Sequence, residues 1–477
     1  MTQPTTPALA IPPRPYSIAH RGASAYAVAN TLEAFRKAAL LGADMWEVDI
    51  NTSADGVPIV HHNATLADGQ SLNSISRETL RTRHPDIPDL SEVVALAADL
   101  GAGIYADIKD AKAALPTLHL LQKAQISPVI IGAFNSDIVQ TLKEAGSTYP
   151  VAGLVPTGAD PHSHAADADV IHLCWEHLPA PQDTLTPDFF ARAFTDGKQV
   201  VLWHEEDPDR MAAIRCKPVT GICSDMPELV NPFRAPSDYP FGIVCHRGAN
   251  TIAPENTLPA FECALAAGFD VIELDLHITA DGEIVVIHDP TLDRTTNGTG
   301  PVTQQTLAEL RKLDAGAWCD PFFRGTQIPT LNDVLDLLKK YGGRAYLEFK
   351  SAPPAPVLAQ VEKAGLLDRV FFWSFNRDYL LELRQLSDTA QIMARREDYP
   401  TLAETISDFD ANIVEFRPDA NPLDIASLRG SSIRSMVAYM GKDTEIFTHL
   451  IRLRPDYFNL NHPFEFARNV SRGACDG

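Results

Sequence analysis

The chain is short of positive charge and of cysteine, and it has no long apolar run. Forty Lys and Arg stand against 62 Asp and Glu, a formal net charge of −22 over 477 residues. That balance disfavours nucleic acid and anionic membrane surfaces as general partners, because both are bound through a surplus of positive charge. An anionic substrate must therefore meet local Arg or Lys, or a metal ion. The seven cysteines (Cys174, Cys216, Cys223, Cys245, Cys263, Cys319 and Cys475) are odd in number and form no CxxC pair. Neither a disulfide frame nor a zinc site is indicated, and inert thiols in a reducing compartment are expected. No stretch approaches the roughly 20 apolar residues of a membrane span. The opening residues, MTQPTTPALAIPPRPYSIAH, lack the basic and apolar regions of a secretory leader. A cytoplasmic protein without stable membrane anchoring is the expectation.

What is present is an ordinary globular composition, 45% hydrophobic and 21% charged, in a chain too long for one hydrophobic core. The sequence also repeats itself. His20 to Leu66 aligns without a gap on His246 to Leu292, and nearly half the positions are identical. The match resumes as IPDLSEVVALAADLGAGIYADIK against IPTLNDVLDLLKKYGGRAYLEFK, with the offset risen from 226 to 241, so the second half carries 15 extra residues. They fall around DRTTNGTG and DAGAWCDPFFRG, whose Gly, Thr and Asp content predicts loop. The organisation expected is a tail over 1–14, one domain over 15–230, a Pro-containing linker over 231–240 and a second domain over 241–477.

Each half alternates short apolar runs with helical periodicity. YSIAH and GIVCH predict first strands, TLEAFRKAALLG and TLPAFECALAAG helices that stop at Gly, and MWEVDI and VIELDL second strands. IVHH and VVIH predict third strands, and IYADIK and AYLEFK fourth strands. Repeated β-α units over this length favour a parallel sheet closed into a (β/α)8 barrel, with an open doubly wound sheet as the alternative.

The polar residues of interest end these strands. In the second half His246 and Arg247 follow the first strand, Glu273 and Asp275 end the next, then come His288 with Asp289, and Glu348 with Lys350. The C-terminal edge of a parallel sheet is where active sites are built. Residues two apart on a strand share a face, so Glu273 pairs with Asp275 and Glu348 with Lys350. Three converging carboxylates need a cation, and all-oxygen ligation suits Mg²⁺, Ca²⁺ or Mn²⁺ rather than zinc. Two histidines can exchange protons near neutral pH. Arg247 and Lys350 provide the local positive charge that an anionic substrate needs. Together these groups describe hydrolysis of a small phosphodiester. Other residues carry weaker expectations. Asn256 reads as a helix cap, Asp289 as either a partner of His288 or a backbone binder, and His61 as structural. His277, His162 and His164 read as surface residues.

HRGANTIAPENTLPAF, IELDLHITADGEIVVIHDPTLDRTTNGTG, IPTL and LEFK, in this order and spacing, resemble the glycerophosphodiester phosphodiesterase family. The resemblance covers almost the whole chain in two copies. It implies a TIM barrel in each half, with a small insertion after the third strand, and cleavage of glycerophosphodiesters to glycerol 3-phosphate and an alcohol. It also implies an acid–base pair in His246 and His288, one divalent cation on Glu273, Asp275 and Glu348, and phosphate contacts from Arg247 and Lys350. Carried to the first half, the same roles fall on His20 and His62, on Glu47, Asp49 and Asp107, and on Arg21 and Lys109.

Each half departs from the family pattern in a different place. The first has Ala29 for the Glu of ENT, Asn63 after its second His and Asp107 for the fourth-strand Glu. The second lacks the late Trp and the TD.P ending, which the first approaches with Trp203 and with Asp225 and Pro227. Two further readings follow. A lipid or lysolipid diester would need an apolar lip, for which AWCDPFF is the candidate, and the first domain could serve as a non-catalytic partner.

Overall fold

The computed structural model describes residues 12–174 and 180–473, so most of the 1–14 tail and Cys475 lie outside it. The chain divides into two compact units, Met1–Asn231 and Pro232–Gly477. The first unit holds β1 (Tyr16–Ala19), β2 (Met45–Thr52), β3 (Pro58–Val60), β4 (Gly103–Ile108), β5 (Val129–Ala133), β6 (Val151–Val155), β7 (Val170–Cys174), β8 (Gln199–Trp203) and β9 (Gly221–Ser224). The second repeats the pattern with β10 (Gly242–Cys245), β11 (Val271–Ile278), β12 (Ile284–Val286), β13 (Arg344–Phe349), β14 (Val370–Trp373), β15 (Gln391–Arg395), β16 (Ile413–Phe416), β17 (Arg434–Tyr439) and β18 (Tyr457–Leu460).

Each sheet closes on itself. β1 pairs in parallel with both β9 and β2, and β10 with both β18 and β11, so the open-sheet alternative does not hold. The two units are TIM barrels whose walls have eight parallel strands, each with one additional strand. Every residue of β2 is buried, as a wall strand between an outer helix layer and a packed interior requires. In the first barrel that interior is filled by Ile18, Met45, Tyr105, Ile130, Val170 and Val201.

Helix signals act as the sequence suggests. Asp89 and Glu92 form a capping box at the start of Leu90–Leu100, which ends at left-handed Gly101. Thr330 and Asp333 do the same for Leu331–Tyr341.

The third strands differ from expectation. β3 and β12 run antiparallel to β2 and β11 and stand outside the barrel walls. The reason is length: five residues join β2 to β3, through Asp55 and left-handed Gly56, enough for a hairpin. A parallel crossover needs a dozen or more residues. Each hairpin arm buries a small apolar cluster of its own, Ile59, Leu66, Leu72, Ile75 and Leu80 in the first barrel and Val285, Ile287, Leu292, Val302 and Leu310 in the second. The 15 extra residues enlarge the second arm, which gains a short turn at Pro321–Phe323, whereas its turn at Val302–Gln304 has a counterpart at Leu72–Ser74 in the first. Among the described residues no helix is long and apolar enough to cross a membrane.

Candidate active site

The sequence HRG makes a tight turn off the first wall strand. In the second barrel Arg247 and Gly248 both take positive φ, 58° and 80°. A Cβ on Gly248 would sit 2.9 Å from the backbone carbon of Ala260, so only glycine fits there. The turn aims the Arg247 backbone N–H at Glu273 Oε2, to which it donates over 2.7 Å. Glu273 is thereby tied to the strand that carries His246.

Glu273, Asp275 and Glu348 bring carboxylate oxygens within 4.8 Å of one another, all buried. β11 pairs in register with β13, placing Asp275 opposite Glu348. Burial, with Asp275 and Glu348 alongside, pushes the Glu273 carboxyl well above the usual range. Burial and Asp275 raise Glu348 to about 7 in spite of Lys350. Asp275 moves down although buried, because Lys350, His288 and Arg247 outweigh desolvation. Lys350 Nζ lies 3.2 Å from Asp275 and pairs with Glu348. Glu273 Oε1 is buried with no hydrogen-bond partner, and a buried acceptor left so is costly. Hard oxygen donors with one lone pair unspent fit a divalent cation of the Mg²⁺, Ca²⁺ or Mn²⁺ type.

The two histidines approach from different parts of the fold. His246 follows β10, and its Nδ1 is 2.6 Å from Asn461 Oδ1, just past β18. An amide oxygen only accepts, so Nδ1 carries the hydrogen and Nε2 the lone pair. Burial and neighbouring Arg247 lower His246 to about 4, so it is neutral at pH 7. His288 stands at the end of the hairpin arm, with Nδ1 2.7 Å from Asp289 Oδ1. Of the two roles open to Asp289, the structure shows partnership with His288.

The mouth of the second barrel is a cavity of about 340 Å³. His246, Arg247, Glu273, His288, Glu348 and Lys350 line one side, and Trp373, Phe375, Arg395, Glu397, Glu415 and Met440 are among the residues on the other. The expected apolar lip at AWCDPFF is mixed: Trp318 is 42% exposed, whereas Phe323 is buried.

The first barrel repeats the carboxylate side. Glu47, Asp49 and Asp107 again bring oxygens within 4.8 Å, Arg21 N–H donates to Glu47 over 2.9 Å, and Lys109 lies 3.0 Å from Asp49. Asp107 Oδ1 is buried without a partner, and burial raises this carboxyl to about 6. The histidines are held differently. His20 Nδ1 lies 2.7 Å from Asp225, and the indole N–H of Trp203 donates to His20 Nε2 over 3.1 Å. His62 Nδ1 is 2.8 Å from Asn63 Oδ1.

Three residues take roles unlike those expected. Asn256 caps no helix: it sits in the left-handed region at φ 56°, its amide donates to Asp275 Oδ2 over 2.7 Å, and Asn30 does the same for Asp49. The N-terminal position of the helix Leu258–Ala266 belongs to Thr257. His277 is 3% exposed rather than on the surface, because its strand is covered by β12, and its ring nitrogens meet Ser351 Oγ and the His288 carbonyl. His162 is half-buried against Phe189. The signal that could have found Asn256 and Asn30 is their recurrence at the same place in both copies.

A model of the glycerophosphoryl diester phosphodiesterase family matches residues 20–229 and 246–407. A glycerophosphodiester phosphodiesterase of Bacillus subtilis (strain 168) is 34% identical over 208 residues, 39% of this chain and 71% of that protein. One from Caldanaerobacter subterraneus subsp. tengcongensis is 38% identical over 156 residues, 31% of this chain and 64% of its own length. The crystal structure of a glycerophosphodiester phosphodiesterase from Agrobacterium tumefaciens str. C58 has 37% sequence identity and a TM-score of 0.46, covering 48% of this chain and 99% of that one. With the family matched in both halves, over well more than half of its length, the chain belongs to the glycerophosphoryl diester phosphodiesterase family, in two tandem copies.

Proposed function

We propose that the second barrel hydrolyses glycerophosphodiesters to glycerol 3-phosphate and an alcohol. The observation that carries this reading is the convergence of His246, Arg247, Glu273, His288, Glu348 and Lys350 on one cavity. Arg247 and Lys350 bind the phosphate oxygens and orient the diester. His246, neutral and with Nε2 unprotonated, takes a proton from the attacking water, whose oxygen forms the new P–O bond as the bond to the departing alcohol breaks. His288, held at Nδ1 by Asp289, gives a proton from Nε2 to the departing alkoxide. Family members generally hold a divalent metal, and Glu273, Asp275 and Glu348 are the residues that would hold it here. When bound it supplies positive charge against the phosphoryl oxygens.

A second reading applies to the first barrel. There His20 Nε2, the nitrogen a general base needs, already accepts from Trp203, which favours a barrel that binds or supports without turning over substrate. Chelation tests the main proposal. EDTA should abolish glycerol 3-phosphate release from glycerophosphodiesters, and Mg²⁺, Ca²⁺ or Mn²⁺ should restore it; an undiminished rate in EDTA would overturn it.

A further inference from the structure

We infer that Arg294, in the enlarged hairpin arm, is a positioning residue that locks His288 and Arg247 together through two carboxylates. Its guanidinium spends four N–H···O contacts on them. Nε donates to Asp289 Oδ2 over 2.8 Å, and Nη2 to Asp289 Oδ1 over 2.9 Å. Nη1 donates to Glu255 Oε2 over 2.9 Å, and Nη2 to Glu255 Oε1 over 2.8 Å. Both carboxylates then hold a residue of the site: Asp289 Oδ1 meets His288 Nδ1 at 2.7 Å, and Glu255 Oε1 accepts from Arg247 Nη1 over 2.9 Å. Four of the five N–H donors of Arg294 are committed to these partners, so its guanidinium is spent on the carboxylates rather than on phosphate. A doubly bidentate fork fixes direction as well as distance.

The first barrel is the natural control. At the matching positions it has Ala29 for Glu255 and Asn63 for Asp289, and Arg294 belongs to the stretch past Leu292 where the second arm is longer, so both carboxylates of the latch are missing. The consequence shows in the arginine of the HRG turn. Arg21 Nε sits 3.0 Å from Asp49, a carboxylate of the cluster, whereas Arg247 Nε is held 3.6 Å from Asp275. Glu255, steadied by Arg294, draws the guanidinium of Arg247 away from the carboxylates and toward the arm.

The inference rests on the second barrel being the hydrolase. The test is made in a chain whose first barrel is silenced by His62→Ala, with glycerol 3-phosphate release from a glycerophosphodiester as the readout. Asp289→Asn should lower kcat, Glu255→Gln should raise KM, and Arg294→Gln should do both, each by about 10- to 100-fold. In the Glu255→Gln, Asp289→Asn background, Arg294→Gln should add less than about twofold, since coupled residues are not additive. Arg294→Lys keeps the charge without the fork and should recover only part of the loss, and guanidinium ion should partly rescue Arg294→Ala. Binding of glycerol 3-phosphate by calorimetry should weaken about tenfold in Arg294→Gln, a readout independent of turnover. A parent chain that releases no glycerol 3-phosphate would remove the hydrolase reading and the latch with it. A parent that turns over while Arg294→Gln stays within twofold, or loses as much in the double background as alone, would overturn the latch and leave the hydrolase.

Discussion

On the side of the mouth built by the first three wall strands, the first barrel has Glu47, Asp49, Asp107 and Lys109 where the second has Glu273, Asp275, Glu348 and Lys350. On the opposite side one aromatic is kept, Phe375 in the second barrel and Phe134 in the first, 5.6 Å from Lys350 and 5.5 Å from Lys109, while the wall positions around it differ. Reading along the strand registers, Trp373, Arg395, Glu415, Ala438 and Asn459 of the second barrel correspond to Gly132, Leu154, His172, Trp203 and Cys223 of the first. An aromatic side chain has moved three strands around the wall. In the second barrel the Arg395 guanidinium lies 5.5 Å from the Trp373 ring, and both line the cavity. In the first, Leu154 and Cys223 belong to the apolar interior, Trp203 packs against it, and burial takes His172 down to about 3. The comparison teaches that the carboxylate and lysine side of a barrel mouth can persist while most of the opposite side is rebuilt.

The comparison can be broken most forcefully at the arm histidines. With glycerol 3-phosphate release as the measure, His288→Ala should cost about a thousandfold, and His62→Ala should leave the rate within about twofold. Equal losses from both would make the barrels two enzymes of one kind, and losses confined to different head groups would make them two enzymes of different kinds.

A smaller effect sharpens the difference between the two wall histidines, His20 and His246. Trp203→Phe removes the N–H that His20 Nε2 accepts, a bond that favours the neutral ring. The titration midpoint of His20, followed by NMR, should rise by roughly half to one unit. No change would mean that the indole does not hold the ring in solution.

The smallest effect concerns the anchors of the first histidine, Asp225 in one barrel and Asn461 in the other. Burial raises the Asp225 carboxyl, but hydrogen bonds from His20 and Ser24 and the charge of His20 bring it down to about 2. A depressed carboxyl stabilises the fold above its unfolded value of about 3.9 and loses that contribution as pH falls toward 2. Asp225→Asn should therefore lower the unfolding free energy by on the order of 1 kcal/mol at neutral pH. It should also flatten its acid dependence between about pH 4 and 2, as read by urea titration. An unchanged acid limb would show that the pair with His20 adds nothing to stability.

Much of the site was legible because strand ends and a period of two are local rules. Glu273 and Asp275, or Glu348 and Lys350, declare a shared face from spacing alone, and the barrel wall follows from apolar runs that recur between helices. The direction of β12 was also legible in principle, since Asp281 and Gly282 sit in a link too short to cross over. Other features depend on contacts that no local pattern encodes. Asn256 reads as a cap until its left-handed backbone turns the amide toward Asp275. His277 reads as exposed until the arm covers its strand. The exchange of Trp203 for Ala438 becomes visible only once strand registers are known, because the later wall strands carry no motif that aligns the two copies.

The separation of the hairpin arm from the barrel wall has a further consequence for how these molecules can change. His246 rides on the wall, whose strands are fixed by neighbours on both sides, whereas His288 rides on an appendage with its own apolar cluster. Insertions in that appendage, such as the 15 residues that distinguish the two copies, alter the surroundings of one histidine without disturbing the scaffold of the other. Duplication thus left each copy with a module that natural variation can remodel at little risk to folding, which makes the arm the readiest place for tandem barrels to part ways in what they accept.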